Sequence, residues 1–420
     1  MSVSHSSQRV YITGMGALTP QALGAEQSWT AVRQGISGID RLNGMDLEGM
    51  AVQIGGQVAG FDPAEHLSHQ DCRRLSPSTQ YGVVAGREAM ASAGIDTLAD
   101  GRINPERFAV LSATGYGPTE IIHHGTRTIA DRGPRAVSPY TAIFGAADAV
   151  SSFLSVELGA LGPSHAVSAA CASGTVGLGE ALRTIRHGYA DAILVIGSED
   201  SINRQDMAAT ANMRALAADR NEDPKSASRP FDRARSGFVM SAGASALLVE
   251  SEDSIQRRGG AALAEVLGFG SSSDAHHATA PHPEGRGAQQ AIREALQDAG
   301  LAAEAVDYVN AHGTGTPYND RTELAAITAV FGEQAHRVPI SSTKSTTGHM
   351  IGAAGTVEAM FCVQSMRDGF IPPTVNLDEP EFQDFDLVPH HGRRVEVSVA
   401  MSNSFGFGGH NATVLLGRAA

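Results

Sequence analysis

Residues 165–185 read HAVSAACASGTVGLGEALRTI, and residues 190–197 read ADAILVIG. An apolar stretch leads into Cys171, small residues follow, and a helical pattern then runs to His187 before an apolar run typical of a buried strand. This order places the Cys171 sulfur at or near a helix N-terminus, where free N–H groups and the helix dipole stabilise a thiolate. Cys171 is therefore a candidate nucleophile, with a buried structural cysteine as the alternative.

The alternation of apolar strands and helices extends in both directions from this segment. It predicts an α/β protein whose mixed or parallel sheets are covered by helices on both faces. The rhythm repeats after a looser stretch at 251–260, so we expect an N-terminal half at 1–255 and a C-terminal half at 256–420, although the halves show no clear sequence identity. Strands are predicted at 9–15, 108–113, 190–197, 245–250, 261–269, 306–311, 394–402 and 412–416, and helices at 28–33, 80–93, 175–187, 287–299, 321–331 and 355–367.

The composition excludes several classes of function. The 420 residues include 31 Lys and Arg against 45 Asp and Glu, and the net charge of −14 argues against a nucleic-acid binder that relies on overall basic charge. The three cysteines cannot all pair and none lies in a CxxC motif, which fits a reducing compartment. Neither a signal peptide nor an apolar window of 18 residues is apparent, so a cytoplasmic protein without a membrane span is expected.

Three segments of the second half carry further side chains suited to catalysis. His312 lies in AHGTGTPYND, directly after a predicted strand, although an exposed turn with an incidental histidine would look similar. Lys344 and His349 lie in SSTKSTTGHMIGAAG, and Phe407 lies in SNSFGFGGHN, whose glycines allow close backbone approach but do not form a phosphate loop. Cys171, His312 and His349 lack the close pair that zinc ligands usually include, so no metal is predicted.

The joint occurrence and order of these motifs resembles the β-ketoacyl-[acyl carrier protein] synthases, the condensing enzymes of the thiolase-like superfamily, and most closely the type II elongating synthases. The resemblance runs from VYITGMGALTP at 10–20 to SNSFGFGGHN at 402–411 and covers nearly the whole chain. It implies a five-layered αβαβα fold of two similar halves, usually a homodimer. It also implies a 3-oxoacyl-[acyl carrier protein] synthase, an acyltransferase of fatty acid elongation that condenses malonyl-carrier with an acyl primer.

The resemblance further implies a role for each motif residue. Cys171 would be the acylated nucleophile, His312 and His349 the decarboxylation pair, and Lys344 the residue that holds this set in place. No cofactor is implied, because the phosphopantetheine arm arrives on the acyl carrier protein. Substrate contacts are implied for Phe407, Thr314, Thr316 and Tyr116, and supporting roles for Asp320 and Glu358.

The two half-reactions explain why these residue types are needed. In thioester exchange, the oxyanion requires two N–H donors, and the backbone amides of Cys171 and Phe407 are the expected pair. Loss of CO₂ from a malonyl thioester leaves an enolate, which neutral imidazoles stabilise by donating hydrogen bonds. Because both the chain and its carrier protein are acidic, docking requires a local basic patch. Arg73 and Arg74 are candidates, although solvated surface arginines are an equally good interpretation.

The chain departs from the family pattern at three places. Ser236 and Ala242 replace acidic residues, and Asp148 stands where an asparagine is common. Tyr116 stands where similar synthases carry a branched aliphatic residue at the bottom of the acyl tunnel, which predicts short or more polar primers unless the ring turns away. These departures keep open a ketosynthase of a specialised lipid, polyene or polyketide pathway. A non-elongating partner subunit is less favoured, because such subunits usually lose the nucleophile.

Overall fold

The computed structural model describes residues 8–419, which contain fourteen strands and thirteen α-helices. The strands are β1 Val10–Leu18, β2 Asp40–Arg41, β3 Ile54–Gly55, β4 Phe108–Ala113, β5 Ser164–Val167, β6 Ala192–Glu199, β7 Gly243–Ser251, β8 Ala264–Ser273, β9 Tyr308–Asn310, β10 Ile340–Ser341, β11 Phe370–Ile371, β12 Arg393–Arg394, β13 Val399–Gly406 and β14 His410–Arg418. The helices are α1 Ala25–Arg33, α2 His69–Arg74, α3 Pro77–Ser92, α4 Thr119–Arg132, α5 Thr141–Phe144, α6 Ala149–Leu158, α7 Ser173–Arg186, α8 Arg204–Asn212, α9 Glu252–Arg258, α10 Arg286–Ala299, α11 Pro317–Phe331, α12 Lys344–Thr347 and α13 Ala354–Asp368.

Ten strands form one sheet whose order reveals two halves of the same design. The N-terminal half runs β1-β7-β6-β4-β5, and the C-terminal half runs β8-β14-β13-β9-β10. In each half, the first two neighbouring pairs are antiparallel and the last two are parallel. The halves join where Tyr11 and Ile12 of β1 pair with Glu265 and Ala264 of β8. The expectation of two similar halves is confirmed by this topology.

Helices complete the five layers. On one side α3 and α6 pack against N-terminal strands, and on the other α10 packs against β8 and β14 and against α11. Helices α7 and α13 lie between the halves, because each contacts strands of both. The predicted αβαβα order is therefore confirmed. A hydrophobic core that includes residues of α7, α13 and both sets of strands fills the centre.

The two central helices begin side by side. Three residues before each helix begins, a non-glycine residue has a positive φ. This residue is Ala170, at +49°, before α7 and Ile351, at +43°, before α13. A Cβ on Gly174 would lie 2.7 Å from a backbone nitrogen of α13, and a Cβ on Gly355 would lie 2.4 Å from one of α7. Only residues without a side chain allow this approach. The turns before the two helices are thereby brought to one place.

The structure corrects the sequence-based elements at several points. The stretch at 251–260 is not loose, because it contains α9, which is capped by the Ser251 hydroxyl and ends at Gly259 in the left-handed conformation. The expected division after residue 255 falls inside α9 and stays a prediction. Helices α4, α6 and α8 and the exposed strand β5 were not predicted. No helix among residues 8–419 has the length and apolar character to cross a membrane.

Candidate active site

Cys171 lies in the turn between β5 and α7, two residues before the first helical residue. The Ser173 hydroxyl closes this turn, since it donates to the Ala170 carbonyl at 2.7 Å and accepts from the Ala169 N–H at 2.8 Å. Gly406 packs so closely that a Cβ there would lie 3.0 Å from the Cys171 nitrogen. The predicted position of the sulfur at a helix N-terminus is confirmed.

Burial dominates the acidity of the free thiol. It raises the pKa of Cys171 to about 11, while the N–H of Phe407, the charge of Lys344 and the N–H of Cys171 itself act in the opposite direction. The amide groups at this position therefore favour the thiolate, as the sequence predicts, but burial of the sulfur opposes them more strongly. The two N–H groups that reach the sulfur are those expected to bind the oxyanion.

His312 follows β9 and is held through its backbone. Its N–H and that of Gly313 each donate to one oxygen of Glu323 at 2.8 Å, and Asn403 donates to the same carboxylate at 3.2 Å. Burial raises the pKa of Glu323 to about 7, with the N–H groups of Gly313 and His312 opposing. Glu323, on α11, therefore fixes the position of the His312 loop.

His349 lies between α12 and α13 but is anchored to the N-terminal half. Its N–H donates to the Val239 carbonyl at 2.7 Å, and its own carbonyl accepts from the Ser241 N–H at 2.9 Å. The Phe238 ring meets the imidazole edge-on with centroids 5.1 Å apart. The rings of His312 and His349 are also edge-on, with centroids 5.2 Å apart. Two histidines on separate loops therefore form one pair.

Lys344 forms a buried ion pair with Glu358 next to the histidines, and neither residue lines the cavity described below. Burial raises the pKa of Glu358 to about 7, and the charge of Lys344 opposes this. Burial and then the charge of Lys344 lower the pKa values of both His312 and His349 well below their usual value. Both imidazoles are therefore neutral at neutral pH, and each keeps one N–H to donate.

A cavity of about 400 Å³ opens onto the sulfur and both imidazoles. Thr314 and Thr316 line it with hydroxyl oxygens 3.2 Å apart, and Phe407 lines it as well. Within residues 8–419, both ring nitrogens of His349 and Nδ1 of His312 make no hydrogen bond. The cavity therefore presents the predicted nucleophile, histidines, threonines and phenylalanine to a single ligand.

Asp320 lies beneath the Thr314–Thr316 loop. Its carboxylate accepts from the Gly315 N–H at 3.1 Å and from the Phe231 N–H at 2.8 Å, and the Arg235 guanidinium lies 3.5 Å away. Burial raises its pKa, while these partners oppose the shift. Asp320 therefore shapes the loop and does not line the cavity.

Tyr116 does not line the cavity either, but packs in the apolar cluster that contains Cys171 and Ile351. Its hydroxyl lies 2.8 Å from Oγ1 of Thr210. The ring has therefore not turned out to solvent, and its hydroxyl has a partner. The predicted effect on primer length stays a prediction.

Of the other departures, only Ser236 lines the cavity. Ser236 lines the cavity and donates to Asp219 at 2.5 Å, and Ala242 is buried. Asp148 precedes α6 and accepts from the Ser152 hydroxyl at 3.0 Å. Ala242 and Asp148 do not line the cavity.

The donor atoms of Cys171, His312 and His349 lie within 4.8 Å of one another, which would bring them within reach of a single metal ion. Lys344 argues against a cation at this place. After burial, its charge is the next cause that lowers the pKa values of both histidines, and the same charge would oppose a bound cation. The site is better suited to stabilising negative charge.

Two buried carboxylates that hold the site were not predicted. One is Glu323, which lies three residues after Asp320 on the same helix face, a spacing that could have revealed it. The other is Glu199, at the end of β6, which accepts from the Gly115 N–H at 2.6 Å and from the Gly352 N–H at 3.2 Å. Glu199 therefore ties the loop after β4 to the loop before α13. The acidic residue that ends an otherwise apolar strand was its only signal.

Comparison with known proteins agrees with this geometry. Family models described as "Beta-ketoacyl synthase, N-terminal domain" and "Beta-ketoacyl synthase, C-terminal domain" match residues 7–254 and 263–378. The 3-oxoacyl-[acyl-carrier-protein] synthase 2 of Staphylococcus aureus is 40% identical over 410 residues, which cover 97% of this chain and 98% of that relative.

Solved structures give the same result. The ishigamide ketosynthase/chain length factor has a TM-score of 0.90 and 34% identity, and a ketosynthase in complex with its type II polyketide acyl carrier protein has a TM-score of 0.90 and 27% identity. Each match covers 98% of this chain and 100% of the other. The chain therefore belongs to the β-ketoacyl synthase family, and the prediction of an acyltransferase of the 3-oxoacyl-[acyl carrier protein] synthase type is confirmed.

Proposed function

We propose that Cys171 carries the acyl primer and that His312 and His349 generate the carbanion that extends it. The observation that carries this proposal is the convergence of one sulfur and two imidazoles within 4.8 Å at a single cavity. In loading, an S–C bond forms between Cys171 and the acyl carbon while the carbon–sulfur bond to the carrier breaks. Because burial raises the pKa of the Cys171 thiol, we propose that its proton passes through a neutral imidazole to the departing carrier thiolate.

In the second half-reaction, the malonyl thioester loses CO₂ and becomes an enolate. Its oxygen accepts hydrogen bonds from the neutral imidazoles of His312 and His349, and the nearby charge of Lys344 favours the developing negative charge. The enolate carbon then attacks the acyl carbon on Cys171, a carbon–carbon bond forms, and the Cys171 sulfur leaves as a thiolate that takes up a proton from water. The N–H groups of Cys171 and Phe407 stabilise the oxyanion of this step. We propose that the reaction uses no metal or redox cofactor.

An acyl carrier protein is the proposed partner, because the cavity needs a thioester on an arm and a structural relative is a complex of this kind. Two cationic side chains support docking from the surface: Arg214 is exposed at the cavity rim, and Arg73 is exposed on α2. Arg74 is a poorer docking residue than the sequence indicated. It pairs with Asp71 at 2.7 Å and lies over aromatic rings, including that of Tyr140 at 5.4 Å.

Incubation with acyl-carrier and malonyl-carrier tests the proposal. We expect intact-mass spectra to show an acyl adduct on Cys171 after the first addition, and a 3-oxoacyl-carrier with release of CO₂ after the second. This outcome would also separate a condensing enzyme from a non-elongating partner subunit. Absence of both the adduct and the product with every primer would contradict it. The primers accepted would distinguish fatty acid elongation, expected in the cytoplasm, from a specialised lipid, polyene or polyketide pathway.

We further propose that the chain pairs with a second copy of itself through the edge of β5. This strand ends the ten-stranded sheet, and its residues are exposed or half-buried. Large apolar side chains nearby are also exposed: Val156 on α6 is 84% exposed and Leu161 is 71% exposed. An open strand edge beside exposed apolar groups is normally covered, and a twofold axis would cover both at once.

Val156→Asp is expected to convert a dimer into a monomer, because it places a carboxylate in an apolar contact. Light scattering at several protein concentrations would measure the mass. Ile36→Asp is the matched control, since Ile36 is also an exposed aliphatic residue, at 50%, but lies in the loop after α1. A wild-type mass equal to one chain at all concentrations would contradict the pairing.

A further inference from the structure

A buried guanidinium supports the loop that carries Thr314 and Thr316. It belongs to Arg235, whose side chain is only 2% exposed. Its Nε donates to the Thr316 carbonyl at 3.5 Å and lies 3.5 Å from the Asp320 carboxylate, and Nη2 donates to the Pro317 carbonyl at 3.3 Å. Arg235 therefore contacts the loop directly, at the start of α11, as well as through Asp320.

The same guanidinium is anchored to other parts of the chain. Its Nη1 donates to the Glu381 carboxylate at 2.5 Å and to the Asp232 carbonyl at 2.8 Å. Its Cζ also lies 5.4 Å from the centroid of the Phe382 ring. The planar fork of an arginine can meet several acceptors at once, whereas a lysine ammonium is a single compact charge. Arg235 thus joins the loop to a distant segment of the C-terminal half.

The loop between the two threonines turns at a left-handed glycine. Gly315 has a φ of +81°, and its N–H donates to the Asp320 carboxylate at 3.1 Å. A Cβ on Gly315 would lie 3.2 Å from the Gly237 carbonyl oxygen, two residues after Arg235. The Thr314 and Thr316 hydroxyls on either side of this glycine line the cavity. A displacement of Asp320 would therefore move both hydroxyls.

We infer that Arg235 is a positioning residue for the arm that carries the thioester, because it fixes the hydroxyls of Thr314 and Thr316 at the cavity wall. The inference rests on the proposed function. A pantetheine arm carries amide groups, and hydroxyls that are already held in place can exchange hydrogen bonds with them without first being ordered. The sulfur and the two imidazoles are held by other contacts. A change at Arg235 should therefore weaken binding of the arm and leave the chemical step intact.

The test compares decarboxylation of malonyl-pantetheine with that of the S-methyl thioester of malonate, which lacks the arm. Arg235→Lys keeps the charge but cannot reach all the acceptors of the guanidinium. It is expected to raise KM for malonyl-pantetheine by ~10-fold, the effect of about one lost hydrogen bond, with kcat unchanged. The kcat/KM for the S-methyl thioester should also stay unchanged.

Arg258→Lys is the matched control. Arg258 is likewise a buried arginine, 3% exposed, and it pairs with the buried Glu250 carboxylate at 2.6 Å, but neither residue lines the cavity. This variant should leave the kinetic constants for both thioesters at their wild-type values. Should Arg235→Lys fail to fold, Glu381→Ala takes its place, because it removes one anchor of the guanidinium at a side chain that is 25% exposed. The same KM should rise, and again only for malonyl-pantetheine.

A double-mutant cycle with Thr314→Val shows whether Arg235 acts through the hydroxyls. Thr314→Val should raise the same KM, and Arg235→Lys added to it should raise KM by less than it does alone. An unchanged KM in Arg235→Lys, an equal loss with both thioesters, or full additivity in the cycle would overturn the inference and leave the proposed function intact. A wild type that releases no CO₂ from malonyl-pantetheine or malonyl-carrier would overturn the proposed function and the inference with it.

Discussion

Cys171→Ala is expected to abolish formation of 3-oxoacyl-carrier, with a loss of at least ~10⁴-fold in condensation rate. The reason is that the acyl group then has no sulfur to occupy, while the N–H groups that surround the sulfur have nothing to polarise. Malonyl decarboxylation should persist at a measurable rate, because the variant leaves His312, His349 and Lys344 unchanged. Intact mass would follow the adduct, and released CO₂ would follow decarboxylation.

Cys72→Ala provides the control for this variant. Cys72 is a free, half-buried cysteine on α2, outside the cavity, and its removal should leave both the adduct and the condensation rate unchanged. An acyl adduct that survives in Cys171→Ala and disappears in Cys72→Ala would show that Cys72, and not Cys171, is the nucleophile. Condensation at the wild-type rate without any adduct would contradict covalent catalysis altogether.

The acidity of this thiol could not be obtained from the sequence. The residues around Cys171 do predict a helix N-terminus, and the structure has one. They do not reveal that the sulfur lies in a buried site, because the segments that cover it, including those around Phe238, Ile351 and Phe407, come from distant parts of the chain. Burial raises the pKa of the thiol to about 11, which outweighs the local amides.

Local sequence does not reveal contacts between distant parts of the chain, and this explains which site residues were predicted. The resemblance to the condensing enzymes implied one constellation of five residues, because it rests on short segments with a distinctive order. These residues are Cys171, His312, Lys344, His349 and Phe407. Glu199 and Glu323 have no such segment. Each carboxylate accepts hydrogen bonds from backbone N–H groups. Because almost every residue type has a backbone N–H, the sequence does not show which residue is the donor.

Residue patterns also could not establish that the two halves of the chain have the same strand order. What repeats between the halves is strand order and direction, and these depend on connections, whereas the sequences of the halves show no clear identity. Strand β5 illustrates the difficulty. It has only four residues, and they are exposed or half-buried, so it lacks the apolar pattern that marks its neighbour β4. Because β5 is short and partly exposed, residue patterns alone do not show that the sheet ends at this strand.

His312→Ala and His349→Ala are each expected to lower malonyl decarboxylation by about 10²–10³-fold, the usual effect of removing one donor to a forming oxyanion. Loading of Cys171 should suffer less, since the N–H groups of Cys171 and Phe407 remain. Release of CO₂ from malonyl-carrier and the acyl adduct on Cys171 would be measured in parallel. His336→Ala, which removes an exposed histidine that contacts the Asp384 carbonyl, is the control and should change neither.

The pH profile gives an independent check of why these histidines donate hydrogen bonds. Burial and Lys344 lower the pKa values of His312 and His349 in the folded protein, so both stay neutral while a solvent-exposed histidine protonates near pH 6.5. Decarboxylation by the wild type should therefore remain level from pH 8 through pH 6.5 and fall only at lower pH. The unfolded chain binds protons at these two groups first, so their contribution to stability should decrease as pH falls below 6.5, whereas the raised pKa values of Glu323 and Glu358 act in the opposite direction. A decarboxylation rate that halves near pH 6.5, or wild-type rates in both alanine variants, would contradict a pair of neutral imidazoles as the donors to the enolate.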